Sequence, residues 1–190
     1  MVLYKYRGIH NFRFFVDIIL KNRLYAAPYF DLNDPMEGRY LYPPDSTGLN
    51  EDIQRIIKGE KEKIRICSLS RDPENELMWS HYSEGHRGVA IGVEVNESRY
   101  QVEPIQYDGL HKLGIHNMHP DAAIDILSHK LDVWRYEEEV RVFLKGNKTT
   151  IDIKVKEILF GRSTSTQDKG FIKDLVSKVN PNIRFRNAFS

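Results

Sequence analysis

Apolar residues in this chain recur at two periods, and the places where the period changes mark out its elements. Residues 2–6 alternate as a strand does, and Arg7-Gly8 ends the run at a turn, which leaves Arg7 at a strand end. From Asn11, a residue suited to capping, Phe12, Phe15, Val16, Ile19 and Leu20 recur at helical spacing. Leu24-Tyr25-Ala26-Ala27 predicts a short strand stopped by Pro28. Asn33-Asp34-Pro35-Met36-Glu37 predicts a turn in which Asp34 caps and Pro35 takes a first helical position. A polar loop over 43–50 precedes a short amphipathic helix carrying Ile53, Ile56 and Ile57, which Gly59 should stop. Residues 63–70 predict a strand, and 75–83 a short helix with Trp79 and Tyr82 as neighbours on one face. The stretch 88–95 is apolar almost throughout, as a central strand buried on both faces should be, and its two glycines permit close approach of another backbone or a ligand.

Pro104 weakens the next run, 100–107, toward an edge strand. A histidine-rich loop follows, then a helix over 120–131 by the spacing of Ala123, Ile126, Leu127 and Leu131. That helix delivers the chain to Trp134-Arg135-Tyr136-Glu137-Glu138-Glu139-Val140-Arg141-Val142-Phe143, where every second residue from Glu137 is charged through Glu139 and Arg141. On a strand, Val140 and Val142 would face a core while Glu137, Glu139 and Arg141 line the opposite face, with Glu138 on the valine side. Glutamate is a poor strand former and like charges repel, so propensity alone does not place three acids here. A hairpin turn at 145–148 leads to strands over 149–155 and 157–160, Thr166 is placed to cap a last helix to 179, and 183–185 closes the chain as a strand. Strands and helices are interspersed without the regular alternation of a doubly wound sheet. This predicts one α+β domain over residues 1–190, with a mixed, mainly antiparallel sheet and flanking helices.

The bulk composition narrows the partners. The 28 Lys+Arg balance 27 Asp+Glu to a formal charge of +1, so no overall field selects nucleic acid or membrane, and any anion binding must be local. The one cysteine, Cys67, cannot form an intrachain disulfide, which fits a reducing cytoplasm. The opening residues lack the apolar run of a signal peptide, and no later run approaches membrane-spanning length, so a cytoplasmic protein without membrane contact is expected.

Several residues carry possible chemistry. A strand-borne Glu facing a cleft stabilises positive charge developing at a sugar carbon, which makes Glu137 and Glu139 candidate catalytic acids; the structural alternative is an edge strand whose acids pair with Arg135, Arg141 or lysines. Arg7 offers a planar fork for phosphate or carboxylate. Trp79, Tyr82 and Trp134 offer rings for stacking, or serve as core. Ser68 and Ser70 close a strand. His81, in Trp79-Ser80-His81-Tyr82, is the histidine best placed for acid–base work, or a hydrogen-bonded structural residue. His111, His116 and His119 form a loose cluster with only Asp108 and Asp121 near, so no metal is expected. Arg184-Phe185-Arg186 near the C-terminus leaves nucleic acid open as a partner, on two arginines.

The segments Leu3-Tyr4-Lys5-Tyr6-Arg7, Asn33-Asp34-Pro35-Met36-Glu37, Leu77-Met78-Trp79-Ser80-His81-Tyr82, His86-Arg87-Gly88-Val89-Ala90-Ile91 and Trp134-Arg135-Tyr136-Glu137-Glu138-Glu139-Val140-Arg141 together resemble a bacterial family of uncharacterised domains met in mobile elements and genomic islands. That family brings no activity with it. More remotely, the order of a basic strand end, a helix, midway aromatics and a late strand-borne Glu is similar to the ADP-ribosyltransferase superfamily. This resemblance implies a fold of that type, NAD as co-substrate, Arg7 on its phosphates, Trp79 or Tyr82 stacked on nicotinamide, Ser68 positioning it, and Glu139 on the ribose hydroxyl. Ser163-Thr164-Ser165 looks like the superfamily's serine motif but follows the acids, which is the wrong order. The expected function is an NAD-dependent ADP-ribosyltransferase or NAD-cleaving effector or defence protein. The alternatives are a non-enzymatic protein- or nucleotide-binding module, and a hydrolase pairing His81 with Glu137 or Glu139.

Overall fold

The computed structural model describes residues 1–42, 51–114 and 122–189. The loop read at 43–50, His116, His119 and Asp121 of the histidine-rich region, and the start of the helix read over 120–131 lie outside the described residues. In chain order the elements are β1 (Val2–Arg7), α1 (Phe12–Lys21), β2 (Arg23–Tyr25), β3 (Ala27–Pro28), β4 (Tyr40–Leu41), α2 (Glu51–Glu62), β5 (Ile64–Ser70), α3 (Glu76–Tyr82), β6 (Val89–Val95), β7 (Gln101–Pro104), β8 (His111–Lys112), α4 (Ala122–Ile126), β9 (Glu139–Lys145), β10 (Thr150–Phe160), α5 (Thr166–Val179) and β11 (Arg184–Asn187). Short 3-10 turns cover Tyr29–Asp31 and Asp132–Glu137.

The fold is mixed α/β with a mostly antiparallel sheet. Strands run β11-β10-β6-β1-β5-β9-β7, with β2 also on β10 and β3 also on β5; β4 and β8 form a separate parallel pair. Among the described residues only β11 joins the main sheet in parallel, along the second half of β10. The apolar β6 lies between β1 and β10 and is buried from Val89 to Val93, as its sequence predicts. Pro104 ends β7 at the sheet edge. One sheet face packs on α1 and α5 through Phe15, Ile18, Ile19, Ile172 and Val176, against Leu3, Leu69, Val140 and Val142. On the other face Met78 and Trp79 of α3 cover Tyr6, Ala90 and Leu159, while Ala123, Ile124 and Leu127 cover Ile64, Ile66 and Phe143. Among the described residues no helix is long and apolar enough to cross a membrane.

Several local expectations change. The apolar run at 24–27 is two strands parted at Ala26: β2 pairs with the start of β10, and β3 with Ile66 and Arg65 of β5. The runs 149–155 and 157–160 are one strand interrupted by a bulge between Val155 and Glu157. Gly59 does not stop α2. It sits three residues before the end, where glycine costs about 1 kcal/mol and tertiary packing of Ile57 and Lys61 overrides it. Helix α5 is capped by Ser165, whose hydroxyl accepts from the Asp168 amide, rather than by Thr166. Glu137 is not on a strand. It ends a 3-10 turn, Glu138 takes a left-handed conformation at φ 42°, and β9 begins only at Glu139.

Candidate functional site

The site begins where a strand ladder parts. Strand β1 pairs with β6 along its whole length but meets β5 at a single register point, Tyr4 opposite Ser70. Beyond it β5 has no strand on that edge until Ala27 of β3 reaches Ile66. The unpaired stretch 67–69 spans about 10 Å at 3.3 Å per residue. Lys5 crosses part of it, donating from Nζ to the Ser68 carbonyl at 2.9 Å, a side chain standing in for a ladder bond. The opening is a cleft of about 250 Å³, lined by Tyr4, Lys5, Tyr6 and Arg7 of β1, by residues of β5 including Ser68 and Ser70, by Asn33 and Tyr82, and by Lys130, Glu137, Glu139 and Arg141.

Strand alternation sets the charges on either side. Lys5 and Arg7 share the face of Leu3, toward α1, whereas Glu139 and Arg141 share the face of Phe143 on the far side. Both sets reach one cleft only because the ladder parts. The Arg7 guanidinium lies over the Phe14 ring at 5.5 Å, burial lowers its pKa, and its buried Nε has no hydrogen-bond partner. No carboxylate among the described residues pairs with it, so Arg7 brings to the cleft wall a cation without an acidic partner among them.

Opposite it lies a buried ionic chain. Glu37 grips Arg141 with both oxygens, Oε1 to Nη1 at 2.6 Å and Oε2 to Nη2 at 2.7 Å. Arg141, with a fully buried side chain, also donates from Nε to Glu139 Oε1 at 2.8 Å, from Nη2 to Glu139 Oε2 at 3.2 Å, and from Nη1 to the Leu127 carbonyl at 2.5 Å. Lys130 Nζ bridges Glu139 Oε2 at 2.8 Å and Glu137 Oε2 at 2.6 Å, and the Tyr82 hydroxyl donates to Glu137 Oε1 at 2.7 Å. The Glu139 amide donates to the Tyr107 oxygen at 2.7 Å, and burial pushes the Tyr107 phenol up to about 12. Burial pushes the Glu139 carboxyl up, but Arg141 and Lys130 outweigh burial and hold it well below the usual carboxylate range. Burial would lower Lys130, and Glu139 and Glu137 raise it above its ordinary value. Burial and then the bond to Glu137 push the Tyr82 phenol up. Three carboxylates meet two cations here, so with all five ionised one negative charge is left over. It is shared by Glu37 and Glu137, each of which meets a single cation, whereas Glu139 meets two, and of the pair only Glu137 lines the cleft.

Six of the residues singled out from sequence therefore line one cleft: Arg7, Ser68, Ser70, Tyr82, Glu137 and Glu139. Trp79, His81 and Trp134 do not. Trp79 is 0% exposed, packed edge-on to Tyr6 at 5.2 Å, with its indole N–H donating to the Pro73 carbonyl at 2.9 Å. It cannot stack on a ligand; it holds β1 against α3. His81 is exposed, its Nδ1 lies 3.3 Å from the Tyr136 hydroxyl, and it lines a neighbouring open hollow with Asn33, Tyr82, Val133, Trp134 and Tyr136. Glu37, Lys130 and Lys5 complete the site without having been picked out. Glu37 was visible only as a turn residue, yet a buried arginine on a strand demands carboxylate partners, and that demand was the available signal. Among the described residues no group of three or more His, Cys, Asp or Glu is placed to hold a metal ion. No protein-family model, curated protein or solved structure matches this chain.

Proposed function

We propose that the cleft binds the nicotinamide–ribose–phosphate end of NAD and supports breaking of its N-glycosidic bond, with transfer of the ADP-ribosyl group or hydrolysis as the outcome. The observation that carries this reading is the convergence, at the parted β1–β5 ladder, of an unpaired guanidinium and a pair of acids. NAD is itself divided in charge, with a pyridinium cation next to anionic phosphates. Arg7 and Lys5 suit the phosphates, and the Glu137–Glu139 side suits the cationic ring and the positive charge that develops at the ribosyl carbon. When the C1′–N bond breaks, its electron pair goes to the pyridinium nitrogen and releases neutral nicotinamide. The acceptor or water then bonds to C1′ and gives up a proton. Glu137 is the better placed acid for that charge, since Glu139 is already neutralised from two sides. A cleft of about 250 Å³ lies below the ~300–1,000 Å³ usual for drug-sized ligands, so it suits this half of the dinucleotide rather than the whole.

The test is to incubate the purified protein with NAD and follow nicotinamide release by chromatography, alongside NAD binding by calorimetry. Release is expected from the parent protein and should be lost in Glu137→Gln and Glu139→Gln. Arg7→Met should weaken NAD binding about 10- to 100-fold, the value of a charge-assisted hydrogen bond, while leaving stability unchanged or raised because it removes an unsatisfied buried donor. Neither release nor binding at millimolar NAD would sink the proposal. A second reading, a nucleotide-binding module without turnover, is favoured by the engagement of both Glu139 oxygens by cations; binding of NAD without release would select it.

A further inference from the structure

The open hollow beside the cleft is lined by Asn33, His81, Tyr82, Val133, Trp134 and Tyr136. It adjoins the cleft, since Asn33 and Tyr82 line both. Its walls are aromatic. The Trp134 and Tyr136 ring centroids lie 6.2 Å apart, His81 meets Tyr136 edge-on at 6.0 Å, and His81 meets Tyr82 edge-on at 6.2 Å. Val133, at its rim, is 71% exposed, an unusual degree for a β-branched apolar side chain next to a tryptophan. The Lys130 ammonium lies 5.3 Å over the indole of Trp134, so a positive charge is already seated on that ring. Two structural links hold the walls in place: Asn75 Nδ2 donates to the Tyr136 carbonyl at 3.0 Å, tying α3 to the 3-10 turn that carries Trp134 and Tyr136, and Tyr82 is bonded to Glu137 at the end of that turn.

We infer that this hollow is a stacking subsite for the neutral planar base of a nucleotide, seated across Tyr82 from the cleft. The inference rests on the reading that the cleft takes the ribosyl-phosphate part of a nucleotide. Aromatic faces accept a flat heteroaromatic ring of any base, the edges of His81 and Asn33 can meet its ring nitrogens, and the cleft by itself is too small for a second ring system. The ammonium on Trp134 selects against a pyridinium ring there and for an uncharged base such as adenine.

The chain contains only two tryptophans, and Trp79 is fully buried out of a ligand's reach, so the part of the emission that a ligand quenches and that Trp134→Phe removes reports on the hollow. The full chain is titrated with adenosine, with AMP and with nicotinamide mononucleotide. Adenosine and AMP should quench a saturable part of the emission, AMP more tightly than adenosine, and nicotinamide mononucleotide should not quench. In Trp134→Phe the quench should vanish, and Tyr136→Ala should weaken it about 5- to 140-fold, the range that one stacked base is worth. Quenching by nicotinamide mononucleotide with none by adenosine overturns the inference, as does an adenosine response that persists in Trp134→Phe. NAD binding and release with no adenosine quench would also overturn it while leaving the cleft reading intact. Adenosine quench without any NAD binding or release would uphold the hollow and remove the cleft reading. The parent protein carries the decisive titration, so a poorly folding variant does not cancel the result.

Discussion

At the scale of residues, the cost of the site lies in Arg141. Its guanidinium is fully buried and serves Glu37, Glu139 and the Leu127 carbonyl at once, so removing it strips buried Glu37 of its bonded cation and leaves Glu139 with Lys130 alone. Arg141→Ala should destabilise the protein by about 3–5 kcal/mol, read as a lowered midpoint in urea unfolding. The same pairing sets an acid limit. The Glu139 carboxyl is held below its unfolded value, so it contributes stability above the ordinary Glu pKa of about 4.3, and that contribution is lost as pH falls through the lowered folded value. Unfolding midpoints measured from pH 6 downward should fall first below about pH 5, and by less in Glu139→Gln than in the parent. Arg7, Glu137 and Glu139 could be singled out from sequence because each breaks a local rule: a bare cation at a strand end, and acids where strand formers belong. Lys130, Glu37 and Lys5 broke none. Their roles depend on which distant strand they meet, and a single chain of letters does not show that meeting.

At the scale of elements, α3 is short and owes its position to the residue that caps it, Asn75. Asn75 Oδ1 accepts from the amides of Leu77 and Met78 at 3.0 and 3.1 Å while its Nδ2 holds the Tyr136 carbonyl, so one side chain both caps the helix and docks it on the 3-10 turn. Asn75→Ala should cost about 1 kcal/mol for the cap alone, seen by thermal unfolding, and should lower the emission anisotropy of Trp134 as the turn loosens. The helix was legible from Leu77, Met78 and Tyr82, and so was the burial of β6. The strand from Glu139 and its charged face were legible, but Glu137's place before it was not: Glu137 and Glu139 arrive at the same network from a 3-10 turn and a strand, joined through a left-handed Glu138. Two-residue periodicity fits that path as well as it fits a strand. The division at Ala26 was hidden for a related reason, since the apolar run continues unbroken while its partner changes from β10 to β5.

At the scale of the whole molecule, β6 has strand neighbours on both edges and buried side chains on both faces, so its amides should be the last to exchange with deuterium, later than those of β7 and β11 at the two ends of the sheet. Faster exchange in β6 than in β7 would contradict this architecture. Ala26, whose amide donates to the Thr149 carbonyl at 2.9 Å, has a wider effect. Because β2 holds β10 and β3 holds β5 on either side of that residue, the pairings of β5 with β1, β1 with β6, β6 with β10 and β10 with β2 are closed by the chain itself, which passes through Ala26 into β3 and so back to β5. The strands thus make a closed hoop, and the cleft is a slot in its rim. A hoop does not hinge: widening the slot would tear backbone hydrogen bonds elsewhere in the circuit. A ligand of the kind proposed for the cleft would therefore meet a gap that the circuit resists widening, with Lys5, Asn33 and Tyr82 as the side chains at its walls whose rearrangement leaves the ladder intact.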